Sequence, residues 1–186
     1  MSLSLPKGPI NATLTESAET KGFIPLLKSD LPAFYRHFLV VRPEPVFIDI
    51  FKPTPYQTLT QFMDYFAFNK RPLWVLGKPE SPIAYFGLHY FQREHDLANL
   101  DFVFFSGYPD PGSEAVRLLW DAVRQSLVDR GLTRLQSFVL ASSTDKILLL
   151  ESLGFRREGV LREHYFHNGE FHDVIVHAWL AEARCV

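Results

Sequence analysis

The chain has 186 residues, enough for one domain with a substantial core, and its 47% hydrophobic and 22% charged residues are those of a folded chain rather than a disordered one. A formal net charge of −2 supplies no basic field for nucleic acid or an anionic membrane surface. No apolar run of about 18 residues suggests a membrane span, and the opening stretch does not read as a signal peptide. The one cysteine, Cys185, has no internal partner, so the expected address is the cytoplasm.

Residues 1–20 are polar, carry Pro6 and Pro9, and read as a flexible arm before a single domain at 21–186. Phe23 to Leu27 is a short apolar run that predicts the first strand. Ser29 or Asp30 then caps a helix with Leu31, Phe34, Tyr35 and Phe38 at helical spacing and Pro32 in its first turn. Four prolines between Arg42 and Pro55 keep that segment extended or irregular, and Tyr56 to Asn69 has the spacing of a helix. Trp74–Leu76, Ile83–Phe91 and Leu97–Phe105 follow as strands. The aromatic share of 15% fits either a Phe-rich core or side chains lining an apolar pocket.

Further on, Ser113 to Arg130 is amphipathic, with Val116, Leu119, Val123 and Leu127 on one face and Gly131 placed to end it. Leu135–Leu140 is an apolar strand, and Thr144–Leu153 a shorter helix stopped by Gly154. Asn168-Gly169 lies between the strand-like runs Arg156–Phe166 and Phe171–Leu180, which predicts a two-residue hairpin with Phe166 opposite Phe171 and His164 opposite Asp173. The order implies an α/β domain around one mixed sheet.

The stretch Leu149-Leu-Glu-Ser-Leu-Gly-Phe-Arg-Arg-Glu-Gly-Val-Leu-Arg162, joined to Gly169-Glu-Phe-His-Asp173, resembles the GNAT superfamily of acyl-CoA-dependent N-acetyltransferases. More narrowly it is similar to the branch that acetylates ribosomal-protein N-termini and related amines. The likeness runs from about Phe102 to Leu180. It implies a mixed, mostly antiparallel, twisted α+β sheet flanked by helices and closed by a C-terminal hairpin. It also implies acetyl-CoA as co-substrate and an amine acceptor; no metal is expected, and the sequence leaves open whether the chain is a monomer or homodimer.

The resemblance implies that the pantetheine arm lies beside a splayed strand, here Val103, Phe104, Phe105 and Ser106. The pyrophosphate sits on the following loop, with Gly107, Gly112 and Ser113 at the positive end of the next helix and Arg117 one turn in. The loop departs from the family pattern: it reads Ser106-Gly-Tyr-Pro-Asp-Pro-Gly-Ser113, in which Pro109 and Pro111 lack an N–H and Asp110 adds negative charge. Arg117 either leans toward the loop or pairs with Asp121 on its own helix. By register, Ser143 and Lys146 stand where the family carries an asparagine and a serine against the cofactor. Ser143 either contacts the cofactor or caps its helix, and Lys146 either pairs with a cofactor phosphate or, as the favoured reading, is solvated.

Acyl transfer by direct attack needs a base for the amine proton and a donor for the leaving thiolate. Asp101 is the preferred base over His89, Glu94 and His95, while Ser143 and Tyr165 are the candidate donors, Tyr165 otherwise reading as a surface aromatic. His164, His167, His172 and His177 lack the spacing of a zinc module and read as surface histidines. Three functions fit these residues. One is an N-acetyltransferase whose acceptor pocket is shaped by Tyr35, Phe38, Tyr56, Phe62 and Phe66. The others are a GNAT-fold binding protein without catalysis, and transfer from a different acyl-CoA.

Overall fold

Seven strands form one sheet in the order β1-β2-β3-β4-β5-β7-β6. They are β1 (Phe23–Pro25), β2 (Leu73–Lys78), β3 (Ser81–Gln92), β4 (Leu97–Phe104), β5 (Arg134–Leu140), β6 (Arg156–His167) and β7 (Glu170–Leu180). Among the described residues four helices accompany them: α1 (Leu31–Val41), α2 (Leu59–Met63), α3 (Glu114–Arg130) and α4 (Thr144–Ser152). The computed structural model describes residues 22–41, 58–64, 72–92, 96–167 and 169–181. The expected arm at 1–20, the proline-rich segment 42–55 and most of the helix read over Tyr56–Asn69 lie outside these residues, apart from the turns at 58–64.

Every strand pair is antiparallel except β4 with β5, which are joined by α3 as a parallel connection requires. The helix forms where its signals stand. Ser113 accepts at 3.4 Å from the Val116 N–H, and Gly131 closes the other end at φ 65°, a left-handed conformation that glycine adopts without strain.

Side-chain alternation divides the core between the two faces of the sheet. Leu100, Phe102 and Phe104 of β4 pack with Val116, Leu119 and Val123 of α3 and with Leu149 and Leu150 of α4. On the other face Val103 and Tyr85 pack with Phe34 of α1 and Phe62 of α2. Tyr35 and Phe62 are therefore core residues. Tyr56 and Phe66 lie outside the described residues. No helix among the described residues is long and apolar enough to cross a membrane.

The C-terminal hairpin holds Phe166 opposite Phe171, as the Asn-Gly turn predicts, with the ring centroids 4.9 Å apart. His164, however, is not in simple register with Asp173. Between the pairs Leu161–Val174 and Tyr165–His172, β6 has three residues where β7 has one, and Glu163 takes φ 49° at this bulge. The Asp173 carboxylate accepts the Glu163 N–H at 2.8 Å and holds the bulge in place.

His177 is also not the surface histidine expected. It sits in the middle of β7, opposite Ser137 of β5, and is fully buried, with neither ring nitrogen hydrogen-bonded. Burial lowers its pKa below the ordinary value of 6.5, and the Glu151 carboxylate, 3.8 Å from Nε2, offsets this only in part. The unfolded chain therefore binds a proton that the folded chain refuses. This contribution to stability is intact above about pH 6.5 and is lost as the pH falls below it. Melting curves from about pH 7.5 down to 5.5 are expected to show a falling Tm that is flatter in His177→Leu; parallel curves for the two proteins would contradict this account.

Candidate functional site

The parallel strands β4 and β5 pair only at Leu97–Asn99 with Arg134–Gln136. Beyond that point β4 continues to Phe104 and β5 to Leu140 without pairing, so the sheet opens between them. Leu100 to Phe104, about 16 Å of strand at 3.3 Å per residue, thus present one edge of main-chain groups to no strand. Their other edge is held by β3, in the register Ala84–Phe104 through Leu88–Leu100. The opening begins three residues earlier than the expected Val103. Phe105 and Ser106 already belong to the turn that leaves β4, where the Gly107 N–H donates to the Phe104 carbonyl.

The turn leads through Gly107 and Gly112 to the capped start of α3 at Ser113. Asp110 is exposed, and its carbonyl accepts the Ser113 N–H. Arg117 does not lean back toward this loop. Its guanidinium contacts Glu114 at 2.7 Å and Asp121 at 3.8 Å, all on the solvent face of α3, because side chains three and four residues apart on a helix are within reach.

Lys146 departs furthest from expectation. It is not solvated: it shares the inner face of α4 with Leu149 and Leu150, and its side chain is 7% exposed. Nζ lies 4.9 Å from the centre of the Phe102 ring, on the α3/α4 side of the sheet, and donates at 2.9 Å to Oδ1 of Asp101. Asp101, by strand alternation, shares the opposite face with Val103 and Tyr85, and the Tyr85 hydroxyl donates to its Oδ2 at 3.3 Å. The ion pair therefore spans the two faces of the sheet around the free edge of β4, at the opening that β5 leaves.

Burial alone would lower the Lys146 pKa. The Asp101 carboxylate, with a smaller contribution from Tyr108, outweighs burial, so the group holds its proton above the usual lysine value of 10.5. Across from Asp101 stands Gly87 of β3, and a Cβ there would fall 2.7 Å from Cε1 of His89. The buried His89 ring thus lies over the glycine, on the face that carries Asp101.

Ser143 precedes α4 without a side-chain capping bond, so its hydroxyl is not committed to the helix. Tyr165 is half-buried on β6, which β5 and β7 separate from β4, and burial raises its pKa. No cluster of three or more His, Cys, Asp or Glu able to hold a metal is found among the described residues. The sequence reading missed Tyr85 and the partnership of Lys146. The available signals were a lysine in the i, i+3, i+4 stripe with Leu149 and Leu150, and a glycine inside an apolar strand.

No protein-family model matches the chain, and no curated protein matches it in sequence. Solved structures do match. A chimera of the spermidine N-acetyltransferase SpeG from Vibrio cholerae and hSSAT has a TM-score of 0.67 at 21% identity, covering 85% of this chain and 93% of that one. A point mutant of the same SpeG gives 0.68 at 21% identity, covering 85% and 94%. RimL, a ribosomal-protein alpha-N-acetyltransferase in complex with coenzyme A, gives 0.67 at 12% identity, covering 86% and 93%. The chain has the GNAT N-acetyltransferase fold that its C-terminal half resembles.

The Lys146–Asp101 pair makes a stability prediction. Removing one member of a buried ion pair leaves an uncompensated charge, which costs about 3–5 kcal/mol, whereas removing both does not. Urea unfolding should show a loss of this size in Lys146→Met and recovery of most of it in Lys146→Met/Asp101→Asn. A Lys146→Met protein as stable as the parent would mean that the pair is not closed in solution.

Proposed function

We propose that the chain is an acyl-CoA-dependent N-acetyltransferase that moves an acetyl group from acetyl-CoA to a primary amine by direct attack. The observation that carries this reading is the opening between β4 and β5, whose unpaired β4 edge leads into the loop at the N-terminus of α3. Main-chain groups of Leu100 to Phe104 suit the amides of a pantetheine arm. The open space at Gly107 and Gly112 and the Ser113 hydroxyl, with the positive end of α3 behind them, suit a pyrophosphate. Ser143 and Lys146 border the opening from α4, and in this reading Asp101 is the base toward an amine on the α1/α2 face. The coenzyme A complex of RimL supports the choice of donor.

A second reading, a GNAT-fold binding protein without catalysis, is favoured by the loop itself. Pro109 and Pro111 remove two donors, Asp110 and Glu114 bring negative charge to the phosphate end, and Arg117 is occupied by Glu114 and Asp121. Two unit charges about 4 Å apart repel by roughly 4 kcal/mol at a surface-like effective dielectric near 20, so Asp110 weakens a phosphate site wherever it turns inward.

Calorimetry and thermal shift with acetyl-CoA separate the two readings. For the transferase, acetyl-CoA at about 100 times Kd should add about 2.7 kcal/mol, a rise in Tm of about 5–10 °C, and Asp110→Ala should bind more tightly. Spermidine and a peptide with a free α-amine form the first acceptor panel, since SpeG and RimL act on those chemistries. No heat and no shift at millimolar acetyl-CoA, with Asp110→Ala equally silent, would leave the binding-protein reading standing.

A further inference from the structure

The ion pair that crosses the sheet joins the two places where this chemistry moves protons. Resting on the transferase reading, we propose that Asp101 and Lys146 form a proton relay through the sheet, carrying the proton lost by the acceptor amine on one face to the departing sulfur on the other. The geometry assigns the ends. Asp101 presents its carboxylate on the α1/α2 face, beside Tyr85 and the His89 ring. Lys146 approaches from α4 on the other face, over Phe102 and near the narrow end of the opening at Asn99 and Gln136. An arm anchored at the α3 loop and laid back along β4 brings its reactive end to that narrow part.

The steps balance. As the amine nitrogen bonds to the acyl carbon, Asp101 takes the proton that the nitrogen loses. The carbon–sulfur bond breaks with its electron pair on sulfur, and Lys146 gives that sulfur a proton. Transfer of the carboxyl proton from Asp101 to the neutral lysine amine then restores the ion pair. The net change is amine plus thioester to amide plus thiol, with no proton exchanged with solvent.

The order of events follows from the charges. While Asp101 is ionised, its carboxylate holds the proton on Lys146 against the opposing effect of burial. Once Asp101 is protonated that support is gone, burial dominates, and the lysine becomes an acid. Proton uptake on the amine side thus triggers proton release on the sulfur side.

The test uses the full chain with coenzyme A as the probe of the sulfur position. The pH at which the bound thiol ionises is read from thiolate absorbance in the wild-type chain, where Asp101 keeps Lys146 charged, and in Lys146→Met/Asp101→Asn, which is neutral at both positions and carries no stranded charge. Tyr85 and His89 on β3 and Tyr108 in the loop face the pair and are common to both proteins, so the comparison isolates the ion pair. With Lys146 the nearer of the two charges to the sulfur, the bound thiol is expected to ionise at least about tenfold more readily, one pH unit lower, in the wild-type chain than in the double variant. Two thiols that titrate together would place Lys146 out of reach of the sulfur and overturn the relay.

The amine half is read with the acceptor from the panel. Asp101→Asn should lose kcat by about 100-fold or more while its acetyl-CoA Kd stays within about threefold. The double variant should be no slower, because the two residues act as one unit. An Asp101→Asn enzyme that keeps its kcat overturns the relay even if the thiol shifts. If the wild-type chain binds neither acetyl-CoA nor coenzyme A, the transferase reading fails and the relay with it; coenzyme A bound with equal thiols in the wild-type chain and the double variant removes the relay alone.

Discussion

An ammonium group buried inside a protein needs a counter-charge, and Lys146 finds its own on the far side of the sheet. Taking a charge out of water costs several kcal/mol, so the lysine is tolerated only because Asp101 meets it at 2.9 Å and the Phe102 ring lies beneath it. That contact depends on a gap. Were β4 and β5 paired along their whole length, the ladder would close the path that the side chain takes between faces. The ion pair, the opening and the divergence after Asn99 and Gln136 are therefore one structural feature.

The two faces of the sheet are built for different work. Behind the opening, α3 and α4 bury an aliphatic layer and bring a capped helix N-terminus to the end of β4. In front, α1 and α2 lay Phe34 and Phe62 over Tyr85 and Val103, a closed aromatic layer into which Asp101 and His89 are set. Gly87 belongs to this arrangement because a Cβ there would come within 2.7 Å of the His89 ring and 2.8 Å of the Leu73 side chain, so that both would have to shift. Lys146 links the two layers, with its ammonium over the Phe102 ring of one and its partner Asp101 set in the other.

The loop between β4 and α3 is where this chain departs from what its fold leads one to expect. Its charges are solvent-exposed, and Arg117 divides its attention between two carboxylates of its own helix. Exposed ion pairs of this kind contribute little to stability, so the guanidinium can leave them at small cost for a more highly charged partner.

Much of this was legible in the chain. Helix α3 shows its apolar stripe, its Ser113 cap and its Gly131 stop, and the Asn-Gly turn sets Phe166 opposite Phe171. These are local effects of spacing and backbone preference, which a sequence carries by itself. Asp101 could be singled out as a carboxylate in an apolar strand, but its partner could not, because Lys146 is 45 residues away and local logic makes a lysine near a helix start a solvated one. The burial of His177 and the bulge at Glu163 escaped for the same reason: each depends on what another strand lays against it. The order of elements was decided by the sequence alone. Where β4 and β5 part, and which charge passes through, was decided only by the packing of both faces, since the energy of a buried charge depends on distance in space and not on position along the chain.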